Sequence, residues 1–344
     1  MTSQPSHHWA GIPHWRICAV VLIALELCAS GCVSGHYQFG RFQDSQGTDK
    51  PQQVVFEHGK PHKVLDRMAW VVGLPSRILP FHPKVNSHTM SAETADKLEA
   101  YLTENDLTDV LVRVNQYDPV GEWRRLRRNK RIAPGWKYSF GTASMIGYTL
   151  LPGRVFGGDV YNPFTNSLYV NSDVAAMLVA EAAYAKDIHS REHPGTYAAV
   201  NELPVLTLWR YTLAVNETVG YARHQDDWEL ERETYRTVYP LMGIQAALGG
   251  HTAASWITAL PGVTVPITMV GGAIVGHTVG QTTIAQRERQ RRSLDADQPV
   301  FTEQAEAIAD LPTAIDSETG IQLIGFEAIP PLELPAERPM RLSE

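Results

Sequence analysis

Cysteine is scarce in this 344-residue chain: there are three, and all lie in the first 32 residues, at Cys18, Cys28 and Cys32. The rest of the chain therefore has no thiol for a disulfide, a thiolate metal site or a nucleophile, and an exported form must be stabilised by its core. Long apolar runs are missing too. With 44% hydrophobic and 19% charged residues the composition is too polar for a multi-span transporter and too apolar for a disordered chain. No Gly-x-Ser-x-Gly elbow, no phosphate loop and no dinucleotide fingerprint is present. A strong overall charge is also lacking, but the net −7 is unevenly distributed. From Ser293 to Glu344 eleven acidic residues face two basic ones, Arg338 and Arg341, so this segment carries −9 and the remainder +2. Nucleic acid is not the partner such a balance favours.

Residues 1–32 read as an export segment. Arg16 precedes the apolar run Ile17 to Leu27, which is too short to span a bilayer, and small residues follow it. Ala29-Ser30-Gly31-Cys32 resembles a bacterial lipobox, with Ala29 where leucine is usual. That resemblance implies acylation of Cys32, membrane lipid as a partner, and a core exported to the bacterial cell envelope. An ordinary cleaved signal or an uncut anchor is the alternative. Residues 33–63, poor in aliphatic side chains, read as a linker.

A core is expected over residues 64–240. Apolar positions recur with helical spacing from Val64 to Val72, and Ser91 caps a second helix running to Asn105. Asp109 to Gln116 alternates as a strand, and Ser139 to Phe156 and Val160 to Val170 read as further strands. Seven basic side chains lie between Trp123 and Lys137, either a solvated helix face or a site for anionic head groups. An alanine-rich helix from Ser172 to about Ser190 follows, with Ser172-Asp173 as its expected cap and Pro194-Gly195 as its stop. The expected class is α+β: a helix-rich core with a small β-sheet before this helix, and a Gly-rich apolar helical region after it.

The sequence of a strand pair ending in Asn166-Ser167-Leu168-Tyr169-Val170-Asn171, then a helix carrying Val179-Ala180-Glu181-Ala182-Ala183-Tyr184, resembles zincin-type membrane-associated metallopeptidases. In that family a His-Glu-x-x-His helix holds zinc with its two histidines and activates water with its glutamate. The resemblance places the glutamate at Glu181 and the two ligand positions at Ala180 and Tyr184, which cannot bind zinc. It also implies a third ligand on a following helix, for which Glu217 is the counterpart. The expectation is a degenerate, inactive site with no cofactor and a binding or scaffolding role for an unidentified protein partner. Alternatives are an active zinc-dependent hydrolase, with Glu181, Glu217, His189 and His193 as nearest candidates, or an oligomerising membrane protein. His189 and His193 formally match the inverted motif His-x-x-Glu-His, but His193 precedes Pro194 at the expected helix end, where both histidines would be solvated.

Residues 241–283 form the second apolar region, in which Leu241 to Gly280 has no Asp, Glu, Lys or Arg. Gly272, Gly276 and Gly280 recur at four-residue spacing, which makes a flat face for close helix packing. Arg287, Arg289, Arg291 and Arg292 follow, so one crossing over Ile257 to Val279 would fit the charge bias. A Gly-rich helical pair buried within a folded domain is the competing reading. Residues 284–344 read as a basic juxtamembrane segment and an acidic, Pro-rich tail.

Overall fold

The computed structural model describes residues 42–44, 50–60, 63–151, 155, 158–202, 207–258 and 264–297. The expected export segment with Cys32, most of the linker and the acidic tail lie outside them. The chain divides into two units, Met1–Arg291 and Arg292–Glu344. In the second, the described residues 292–297 are helical.

The first unit is α+β. Strand β1 (Val55–His58) leads through α1 (Lys63–Val72), α2 (Leu74–Ile78) and α3 (Ala92–Glu104) to β2 (Leu111–Val114). Helix α4 (Pro119–Arg128) follows, then α5 (Pro134–Trp136), which runs through a π-helical stretch (Lys137–Gly141) into α6 (Thr142–Leu150). Strands β3 (Val160–Asn162) and β4 (Ser167–Val170) lead into α7 (Ala175–His189), α8 (Pro194–Asn201) and α9 (Thr207–His224). Helix α10 (Trp228–Glu233), a second π-helical stretch (Thr234–Val238), α11 (Tyr239–Thr258) and α12 (Val265–Asp297) complete the described order. The sheet has the order β1-β2-β4-β3. Its first three strands are parallel, with Val112 opposite Phe56 and Leu168, and β3 runs antiparallel along the edge beside β4.

Local chemistry explains the elements that the site rests on. Ser91 caps α3 by accepting from Thr94 N, and Asp173 holds that cap by accepting from both Ser91 N and Oγ, at 2.9 and 2.7 Å. Asp173 is thus occupied, and Ser172 Oγ accepts from Asn86 N, so the expected cap of α7 is not its cap. Val174 is the N-cap residue, without a side-chain bond, and the Ala176 N–H is taken by Glu233 from α10 at 2.9 Å. Helix α7 is buried on nearly every face, as its alanines permit. Pro194 does not simply end it but opens α8 as the first helical residue.

The expected strand from Ser139 to Phe156 is instead π-helical and α-helical through Leu150. Its aromatic and β-branched content suggested a strand, but Pro134 starts a helix and the bare Cα of Gly141 sits against Leu126 and Phe164. The basic run also divides: Arg124, Arg127, Arg128 and Lys130 are exposed, whereas Lys137 is buried and Arg125 donates to the carbonyls of Thr165 and Asn166 at 2.9 and 2.7 Å.

The single crossing expected over Ile257 to Val279 falls partly outside the described residues. One helix ends at Thr258, another begins at Val265, and among the described residues no helix is long and apolar enough to cross a membrane. The Gly-spaced face is used inside the chain: a Cβ on Gly272 would overlap the Gly243 carbonyl, one on Gly276 the Tyr239 carbonyl, and one on Gly280 the Tyr235 carbonyl. Glycine is required there because the two helix backbones touch.

Candidate functional site

Helices α7 and α9, with edge strand β3, build the site around Glu181. Glu181 is 8% exposed, and its Oε2 accepts the Tyr161 backbone N–H from β3 at 3.0 Å. Its Oε1 faces Arg210 Nη2 of α9 at 3.5 Å. The Arg210 guanidinium lies 4.1 Å from the centre of the Tyr184 ring and 5.0 Å from that of Tyr211, a cation held between aromatic faces. Burial pushes the Glu181 carboxyl above its ordinary pKa, and Arg210 and the Tyr161 N–H only partly offset it. A cavity of about 170 Å³ adjoins, lined by Asp159, Ala180, Glu181, Tyr184, Arg210 and Tyr211 among others.

The residues do not fit zinc. Ala180 has no donor atom, the Tyr184 ring is covered by a guanidinium, and a fixed cation already faces Glu181. Glu217 is likewise engaged, by Lys186 Nζ and by the Tyr101 hydroxyl at 3.1 Å. No group of three or more His, Cys, Asp or Glu among the described residues is placed to hold a metal ion.

The two histidines are separated by their environments. His193 is the exposed N-cap residue of α8. His189, expected in solvent at a helix end, is instead buried at 5% exposure, because the β3–β4 turn folds over it. Asn166 takes a left-handed φ of 54° in that turn, and its Oδ1 accepts from the Tyr161 hydroxyl at 2.8 Å and lies 3.1 Å from His189 Nε2. Burial, reinforced by Arg131, lowers the His189 pKa from 6.5 to about 4. The folded state thus resists a proton that the unfolded chain accepts below pH 6.5. The stability it contributes is complete above 6.5 and lost as pH falls toward 4, by roughly 3 kcal/mol at about 1.4 kcal/mol per unit. Urea denaturation from pH 7 to 4 should show this slope, and His189→Gln should flatten it.

A larger cleft of about 500 Å³ lies between α6 and β3, lined by Phe140, Ser144, Tyr148, Val160, Asn162 and Phe164 among others. Its floor includes Arg113 and the stacked rings of Tyr148 and Tyr169, 5.0 Å apart. The structure sets Arg210, Tyr211 and Asp159 around Glu181, and no sequence pattern marks these three. Arg210 lies 29 residues beyond its partner, with no local spacing to announce it. The fold defines a class, a helix-rich α+β core with a small mixed sheet. Beyond that class, no family model, curated protein or solved structure matches the chain.

Proposed function

We propose that the chain is a membrane-anchored bacterial envelope lipoprotein with a metallopeptidase-like core that binds rather than cleaves. The observation that carries this reading is the buried Arg210 guanidinium, set against Glu181 and Tyr184 where the resemblance would put a metal. A fixed cation there neutralises the one carboxylate that would activate water and leaves no vacancy for a dication. The binding region in this reading is the cleft beside β3. Its apolar walls accept the side chains of an extended peptide segment, while the Tyr161 N–H of β3 stays with Glu181.

An active hydrolase is the reading with less support, since Glu181, Glu217, His189 and His193 do not converge and Glu217 is taken by Lys186. Elemental analysis of purified protein, paired with a peptide-hydrolysis assay, separates the two. Wild type should be free of zinc and inactive. Ala180→His with Tyr184→His should remain zinc-free while Arg210 stays in place, and should take up zinc once Arg210→Leu is added. One zinc per wild-type chain, or hydrolysis by it, overturns the proposal.

A further inference from the structure

Helix α12 turns its glycines toward α11 and its aliphatic side chains outward. Ile267 is 73% exposed, Val270 and Ile274 share its side of the helix, and Val275 and Val279 are exposed on the adjoining flank. Isolated exposed apolar residues are ordinary, whereas a contiguous set marks a surface that meets something. The set extends onto a second element. His277, one turn from Ile274, packs against the ring of Phe81 with centroids 4.9 Å apart and bonds the Leu79 carbonyl at 2.9 Å. Phe81 is 76% exposed and Ile78 60%. The loop after α2 therefore continues the apolar surface of α12.

The edge of this surface is cationic. Lys84 follows Phe81 by three residues and, though paired with Asp173 at 3.4 Å, keeps 58% of its side chain exposed, and Arg236 is exposed. Both stand close enough to His82 to lower its pKa beyond what burial does, against the raising influence of Asp173, so they flank the Phe81 loop. From Leu241 to Gly280, by contrast, no formal charge interrupts the sequence. An apolar face with a rim of Lys and Arg matches an anionic bilayer, whose acyl boundary takes the aliphatic groups and whose head groups take the cations. A second copy of the chain would bring like charges together at that rim. Among the described residues no helix is long and apolar enough to cross, so the contact proposed for α12 is with the bilayer surface.

We propose that the outward face of α12, with Ile78 and Phe81, is a membrane-docking surface for anionic lipid, lying in the interface without spanning it. The inference uses residues outside the Glu181 site and stands or falls independently of the metallopeptidase-like reading. The test uses full-length Cys32→Ser chain, so that acylation does not contribute, and co-sedimentation with vesicles of phosphatidylcholine alone or mixed with phosphatidylglycerol. Binding is expected to the mixed vesicles and to weaken with salt. Ile267→Glu with Ile274→Glu should lower the bound fraction at least about tenfold. Lys84→Gln with Arg236→Gln should remove the preference for phosphatidylglycerol. The serine pair Ile267→Ser and Ile274→Ser should weaken binding in the same direction, and circular dichroism confirms that each variant is folded. Undiminished binding by the folded glutamate pair overturns the proposal. So does a lipid-free dimer that the same substitutions dissociate, since a second copy would then be the occupant.

Discussion

Arg210→Leu should destabilise the protein by about 3–5 kcal/mol, the range for removing one partner of a buried ion pair. Arg210 is 6% exposed and Glu181 8%, so water screens neither end of the pair appreciably. Without the guanidinium, Glu181 keeps only the Tyr161 N–H as a bonding partner and becomes a buried carboxylate with no counter-charge. Its pKa, already raised by burial, would rise further. An acid whose folded pKa exceeds its unfolded value of about 4.5 favours the folded state at low pH, an advantage lost as pH rises through the folded value. Urea denaturation should therefore show a larger deficit for Arg210→Leu at pH 8 than at pH 5. Glu181→Gln in the same background should recover part of the loss at pH 8, because an amide oxygen still accepts from Tyr161 and carries no charge. A loss below about 1 kcal/mol would show that the pair does not hold α7, α9 and β3 together.

The same pair shows what sequence could and could not reveal. Helix α7 was legible because alanine, leucine and valine fill it, and α3 because Ser91 sits at its start. Strand β2 was legible from Val110, Val112 and Val114 alone. The segment from Ser139 onward was misread because Phe140, Ile146, Tyr148 and Thr149 satisfy strand preference, while the packing of Gly141 against Leu126 that favours a helix is a tertiary contact. The glycine spacing of Gly272, Gly276 and Gly280 was legible as a packing face, but its partner was not. Spacing reports how closely a helix can be approached, not whether the neighbour lies in the same chain. At the site, the resemblance places position 181 by local count. The cation that faces it comes from another helix, and so does the lysine on Glu217. Long-range ionic pairing leaves no periodic trace.

A comparable loss, about 3–5 kcal/mol, is expected for Arg113→Met, and here the two partners should behave unequally. Arg113 lies in the middle of β2, and strand alternation puts it on the face opposite Val112 and Val114. That face is covered, and Arg113 is 2% exposed. Its Nε donates to Glu122 of α4 at 2.5 Å, and its Nη1 donates to Glu57 of β1 and to Gln116, both at 2.7 Å. Glu122 is fully buried and also accepts from Ser167 Oγ at 2.9 Å and Tyr169 hydroxyl at 2.6 Å, both on β4. One carboxylate thus ties α4 directly to β2 and β4 and, through Arg113, to β1. Methionine at 113 would leave a buried negative charge with two neutral donors, which do not replace a guanidinium. Glu122→Leu is expected to cost less, because Arg113 retains Glu57 and Asp118, whose side chains are 42% and 40% exposed and remain solvated. The double variant should therefore be less destabilised than the two single losses summed, with a coupling of about 2 kcal/mol in a thermodynamic cycle. Because Arg113 and Tyr169 also form the floor of the cleft beside β3, Arg113→Met should weaken any peptide captured there even at temperatures where the variant is folded. Additive single losses would show instead that Arg113 and Glu122 are stabilised separately, and that the cleft floor does not depend on their pairing.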